Sequence, residues 1–182
     1  MTAAEIKRAF DDLNAWLSAS RVAHAVVFSA PIAHAELDAA ARRLGVTFPP
    51  SYARFVTEHG TFTISGAITG RGEGNDTALL SPRDAVTQTD KYRRWVAESD
   101  DADSIQILQD AIVFCEDPED EYVHLFVISS ADAAGEMNAR EYNYQDPATS
   151  DPWFEGDGSF ATTMSFIIET VRSNAIASLD DD

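Results

Sequence analysis

The sequence predicts an α+β protein: a mostly antiparallel sheet with helices ahead of it, one helix inserted between strands and another closing the chain. Three observations carry this expectation. Helical periodicity fills most of residues 1–60, β-branched and apolar runs bounded by turn residues recur from Phe62 to Gln145, and a last amphipathic helix follows Ser159. The 182 residues suit one domain spanning 1–182, with 45% hydrophobic residues to fill a core and a short acidic tail at about 179–182.

Thr2-Ala3-Ala4-Glu5 has the spacing of a capping box, in which hydroxyl and carboxylate each satisfy a free backbone N–H. Ile6, Phe10, Leu13 and Leu17 behind it form one stripe, so the first helix is expected to reach about Ala19. Ala25-Val26-Val27-Phe28 reads as extended. A second helix is predicted over Ala33 to Leu44, where Gly45 can take the left-handed conformation that closes it. Pro49 and Pro50 forbid helix until a third begins at Pro50, which suits a first turn because the missing N–H would be unpaired there anyway. Tyr52, Phe55, Val56 and His59 follow at helical spacing before Gly60 stops the turn.

Phe62 to Ile68 alternates and is expected as a strand, with a glycine-rich turn over Gly70 to Asn75 and a short strand near Thr77 to Leu80. Ser81 caps a fourth helix with Pro82 at its first position; Ala85, Thr89, Tyr92 and Val96 supply its buried stripe. Ile105 to Leu108, Ala111 to Cys115, Tyr122 to Ser129 and Arg140 to Gln145 read as strands. Asp117-Pro118-Glu119-Asp120 suits a type I turn, which would set Glu116 opposite Glu121 and Cys115 opposite Tyr122. Phe160, Met164, Ile167 and Val171 define the last helix.

Catalytic and metal constellations do not assemble in the sequence. His24, His34, His59 and His124 fall in separate elements without the i to i+4 spacing of a zinc helix. Cys115 and His124 share a face of the expected hairpin, but a nucleophile also needs an oriented base and an oxyanion site, so the thiol reads as a small core residue. Gly70 to Asn75 lacks the lysine and hydroxyl of a phosphate loop, and Asp100, Asp101 and Asp103 lack the rest of an EF-hand. No cofactor, metal or catalytic residue is therefore expected, and the chain is read as a non-enzyme. No apolar run approaches the ~18 residues of a membrane span. With no signal-peptide pattern and a single cysteine, a cytoplasmic location is expected.

The net charge of -18 is unevenly spread. Residues 1–94 hold 11 Lys and Arg against 10 Asp and Glu, whereas residues 95–182 hold only Arg140 and Arg172 against 21 acids. A field of that sign repels nucleic acid and anionic lipid and attracts cationic partners. Glu116, Asp117, Glu119, Asp120 and Glu121 crowd one hairpin tip, with Asp100, Asp101 and Asp103 nearby in sequence. These eight read equally as solvated turns or as a contact surface for a basic protein. Tyr92, Arg93, Arg94 and Trp95 form a basic and aromatic cluster whose plain reading is a helix end with arginines favourably set against its dipole.

The order Glu36, Leu44-Gly45, Phe48-Pro49, Tyr52, Phe55-Val56, His59-Gly60 and then Gly66, Ile68 and Gly70 resembles the SUKH (Smi/Knr-like) superfamily. The family's stop is usually Asn-Gly, where this chain has His59-Gly60. Ser81-Pro82, Ile112 to Asp117, Glu136 and Ser159-Phe160 continue the likeness to the end of the chain. The resemblance implies an immunity protein of a bacterial polymorphic toxin system that binds a cognate toxin domain. The acidic half makes a basic toxin, such as a nuclease, a fitting target. A constitutive regulatory or scaffold module, like the yeast cell-wall-assembly regulator of the same superfamily, is the second expectation, and a cysteine or acid-base hydrolase the third.

Overall fold

A computed structural model describes residues 1–20, 25–65, 77–98, 102–117, 122–143 and 158–180. Among them lie six helices: α1 (Ala3–Ala19), α2 (His34–Leu44), α3 (Pro50–His59), α4 (Pro82–Ala97), α5 (Ala102–Gln109) and α6 (Phe160–Asp180). They surround a sheet of six strands: β1 (Ala25–Phe28), β2 (Phe62–Ser65), β3 (Thr77–Leu79), β4 (Ala111–Asp117), β5 (Tyr122–Val127) and β6 (Ala139–Asn143). The strands lie side by side in chain order, and every neighbouring pair is antiparallel. The molecule is thus α+β, with α2 and α3 inserted between the first two strands and α4 and α5 between the third and fourth. No helix among the described residues is long and apolar enough to cross a membrane.

The helix boundaries follow the local chemistry. Thr2 and Glu5 form the capping box of α1, the Glu5 carboxylate accepting the Thr2 N–H at 2.7 Å. Gly45 takes φ 74° at the end of α2, and Ser81 accepts the Asp84 N–H at the start of α4. Helix α6 continues to Asp180, so residues expected as tail belong to its last turn.

The core is an aromatic layer between the sheet and the group α1, α3 and α6. Phe10 of α1 lies 4.3 Å from Phe62 of β2, centroid to centroid, and Phe160 of α6 lies 5.6 Å from Phe55 of α3. On the sheet side Phe114 and Phe126 stack at 3.8 Å, and Tyr52 of α3 meets Phe126 edge-on at 5.6 Å. All of these rings are buried. Each contributes roughly 1.5–3 kcal/mol by leaving water, and well-placed pairs add about 0.5–1.5.

Three expectations are corrected. The strand expected over Tyr122 to Ser129 ends at Val127, and Ile128–Ser130 form one 3-10 turn, where the Ser129 N–H and hydroxyl both donate to the Asp110 carboxylate. Ile105 to Leu108 is not a strand but the second half of α5. Its Ile-Gln-Ile-Leu alternation suggests period 2, yet Ser104 and Leu108, four apart, are the buried residues, and Arg93 from α4 closes the helix by donating to the carbonyls of Leu108 and Gln109 at 3.1 and 3.2 Å. The hairpin register is also shifted: Asp117 pairs with Tyr122, Glu116 with Val123 and Cys115 with His124. The slide by two residues keeps Cys115 and His124 on one face, and Glu121, expected opposite Glu116, lies outside the described residues. A bulge at Phe114 then adds one residue to β4, and the strand resumes pairing at Val113 opposite Leu125. Residues 66–68 of the strand expected from Phe62, the glycine-rich turn over 70–75, and 144 and 145 of the strand expected from Arg140 lie outside the described residues.

Strand β3 is short, and beyond Leu80, whose N–H reaches the Phe114 carbonyl, it no longer covers β4. Helix α4 takes over that edge. Thr89 accepts the Val113 N–H at 2.9 Å, and Arg93 donates to the Ala111 carbonyl at 3.0 Å. Side chains four apart on one helix thereby satisfy strand groups two apart, which would otherwise cost about 1–3 kcal/mol each if buried unpaired.

Gly60 and Gly45 provide a test of this placement. Both have positive φ, but a Cβ on Gly60 would stand 2.5 Å from the Ser29 carbonyl oxygen, whereas one on Gly45 meets nothing within 4 Å. Gly45→Ala should cost about 1–2 kcal/mol from the left-handed backbone alone, and Gly60→Ala distinctly more. Phe55→Ala should cost about 3–5 kcal/mol. Urea denaturation ranks the three; equal losses at Gly45 and Gly60 would contradict the close approach of the chain at Ser29.

Candidate functional site

The segment that carries the family-like signature, α3, is held at three points. Its N-cap is Pro49, which offers no side-chain acceptor, and Pro50 opens the helix. The Ser51 N–H is instead taken by the Glu136 carboxylate at 2.8 Å, and the Ser51 hydroxyl donates to the same group at 2.6 Å. Next, the Tyr52 hydroxyl donates to the Leu80 carbonyl at 2.7 Å. Burial, reinforced by Asp84, Glu36 and Cys115, pushes that hydroxyl well above its ordinary pKa, so it remains a donor. Finally, Gly60 lets the chain pass against Ser29, whose hydroxyl accepts the Thr61 N–H at 2.9 Å. Glu36 lies half-buried in the first turn of α2, where a carboxylate suits the helix dipole.

The acidic candidates divide. Glu116 is the one whose side chain is described: it is partly buried at the end of β4, and burial raises its carboxyl, with Lys91 lowering it and Asp84 raising it. Asp117 closes the ladder opposite Tyr122, and Asp103 belongs to α5. Asp100, Asp101, Glu119, Asp120 and Glu121 lie outside the described residues.

Cys115 and His124 are direct cross-strand partners, and both are buried. The His124 ring lies 6.0 Å from that of Phe114, and burial lowers its pKa to about 3. A thiol closed off from solvent beside an imidazole held neutral suits packing rather than nucleophilic attack. No group of three His, Cys, Asp or Glu that could hold a metal occurs among the described residues.

The fold also creates a basic depression of about 460 Å³ between α2 and α4, lined by Arg43, Thr87, Asp90, Arg93, Arg94 and Ala97. Arg43 crosses from the end of α2 to pair with Asp90 at 2.7 Å, and Arg94 donates to the Asp90 carbonyl at 3.1 Å. Sequence reasoning misses this feature because Arg43 and Arg94 are far apart along the chain, and no local pattern announces their meeting.

A model of the SMI1 / KNR4 family (SUKH-1) matches residues 31–162. The chain belongs to this family. The match contains α2, α3 and the whole of the sheet from β2 to β6, and ends at the opening of α6. Within the SUKH-1 block, Leu44, Gly45, Phe48, Pro49, Tyr52, Phe55, Val56 and Gly60 are the helix stop, the uncapped start, the core anchors and the tight passage described above; Gly66, Ile68 and Gly70 lie outside the described residues. No curated protein matches the chain.

The buried imidazole makes a pH prediction for this SUKH-1 chain. Its folded pKa of about 3 lies below the ordinary 6.5, so the unfolded state binds the proton first. Stability is fully present above about 6.5 and is lost as pH falls towards about 3, at up to roughly 1.4 kcal/mol per pH unit. Glu116 works the other way: its raised carboxyl favours the fold at low pH and loses that contribution as pH rises through its folded value. Urea denaturation of His124→Leu between pH 7 and 4 should show a shallower acid loss than the unmodified chain. Identical slopes would place the proton elsewhere.

Proposed function

We propose that this protein is an immunity protein that binds a cognate toxin domain and neutralises it by steric and electrostatic blocking, without chemistry of its own. Membership of SUKH-1 over residues 31–162 is the observation that carries the reading. The charge distribution supports it: no Lys or Arg lies between Arg94 and Arg140, so a basic toxin domain, a nuclease for example, would be drawn to this half of the chain. Opposite charges across an interface accelerate encounter and can cost several kcal/mol when reversed, which suits an inhibitor that must capture its toxin quickly. The contact residues proposed are Asp100, Asp101, Asp103, Glu116, Asp117, Glu119, Asp120 and Glu121, of which Glu116 is partly buried. The burial of Cys115 supports a role without catalysis. A cytoplasmic location belongs to the same reading, since an immunity protein acts where the toxin would.

Co-expression should rescue cells from the toxin encoded beside this protein's gene. Replacing Asp100, Asp101, Glu119, Asp120 and Glu121 by Lys should weaken that rescue, with circular dichroism unchanged. Association should also slow as salt shortens the screening length to about 8 Å at physiological strength. Full rescue by the charge-reversed variant would remove these carboxylates from the interface. Failure of the unmodified protein to bind the neighbouring toxin would favour a constitutive regulatory or scaffold role within the same family.

A further inference from the structure

We propose that the depression between α2 and α4 is a second docking surface, fitted to a short acidic segment of a partner protein. Its walls carry three arginines against one aspartate, a local positive excess in a chain of net charge -18. The three arginines have different tasks. Arg93 is committed inward, donating to the carbonyls of Leu108, Gln109 and Ala111, and forms a fixed floor. Arg43 and Arg94 are exposed at the rim, and the Arg43 side chain keeps 63% of its surface accessible while paired with Asp90.

Asp90 is met twice, by Arg43 at its carboxylate and by Arg94 at its carbonyl, and this holds the two guanidinium groups on either side of one opening. Guanidinium forks match carboxylates in a bidentate way and are already oriented here, so less side-chain entropy is lost on binding. The volume of about 460 Å³ admits a few residues of peptide. A long polyanion is the poorer fit, because its charge would also meet the acidic half of the chain, whereas a segment with a few carboxylates feels mainly the charges within a screening length of about 8 Å.

The surface depends on reading the chain as a protein that acts by binding, but not on the identity of a toxin, so its test uses a synthetic probe. A fluorescently labelled heptaglutamate peptide is titrated with the full-length protein and followed by anisotropy. Saturable binding is expected, weakening with added salt and by at least about tenfold in Arg43→Gln/Arg94→Gln. Arg8→Gln/Arg54→Gln, which alters exposed arginines on α1 and α3, should bind as the unmodified protein does. Thr87→Glu, which adds an acid to the lining and leaves the Arg43–Asp90 pair in place, should weaken binding, and this variant decides the matter if the double variant at the rim fails to fold. No saturable binding by the unmodified protein, an equal loss in the Arg8/Arg54 control, or tighter binding of a single-stranded oligonucleotide of equal charge would each overturn the proposal. If toxin rescue succeeds while the peptide fails to bind, this surface alone is refuted.

Discussion

The Glu136 carboxylate accepts both the N–H and the hydroxyl of Ser51, across 85 positions of sequence, and this contact decides where α3 sits. A helix that starts on Pro49-Pro50 has no side chain of its own to take up its orphan donors. Only when the chain leading into β6 folds back does the start of α3 become satisfied. Tyr52 and Phe55 are then delivered to the aromatic layer, where they meet Phe126 and Phe160. The sheet, α6 and the passage at Gly60 all lean on that placement. A charged hydrogen bond of this kind contributes about 1.5–3 kcal/mol, a large share of a marginal folding free energy.

The second constraint is the exposed edge of β4. Because β3 is short, α4 must lie along the strand so that Thr89 and Arg93 can meet Val113 and Ala111. That fixes the face of α4 that is left for α2, and with it the opening between Arg43 and Arg94. A requirement of backbone hydrogen bonding thus creates a strongly basic feature in an acidic molecule. The two charge regimes underlie the two contacts proposed above: carboxylates for a basic partner and a paired-arginine opening for an acidic segment.

Much of the architecture is legible in the residues because it is local. Thr2 with Glu5, Gly45, Pro50 with Gly60, and Ser81 with Pro82 each mark a helix end through their own backbone chemistry, and the helix boundaries follow them closely. Alternation misleads at Ile105 to Leu108 because only a tertiary partner, Arg93, decides that this segment closes as a helix. The hairpin slides because its register is set by which residues join the ladder, not by where proline permits a turn. Glu136 can be singled out only by resemblance to the family, since nothing in its neighbourhood announces Ser51. Of the basic opening, only Arg93 and Arg94 are legible, as a basic cluster at a helix end; Arg43 is brought to them by the packing of α2 on α4. The acidic candidates are legible as composition, and composition states a charge without stating a surface.

The most direct test of the long-range cap is a double-mutant cycle on Glu136 and Ser51, with unfolding free energies from urea for Glu136→Ala, Ser51→Ala and the pair. If the Glu136 carboxylate places α3, the two substitutions should be coupled by about 1–3 kcal/mol, the double variant losing less than the sum of the singles. Additivity within about 0.5 kcal/mol, together with a loss below about 0.5 kcal/mol in Glu136→Ala, which removes the acceptor of both the Ser51 hydroxyl and its N–H, would show that the helix is held without Glu136 and would contradict its role as the anchor of α3.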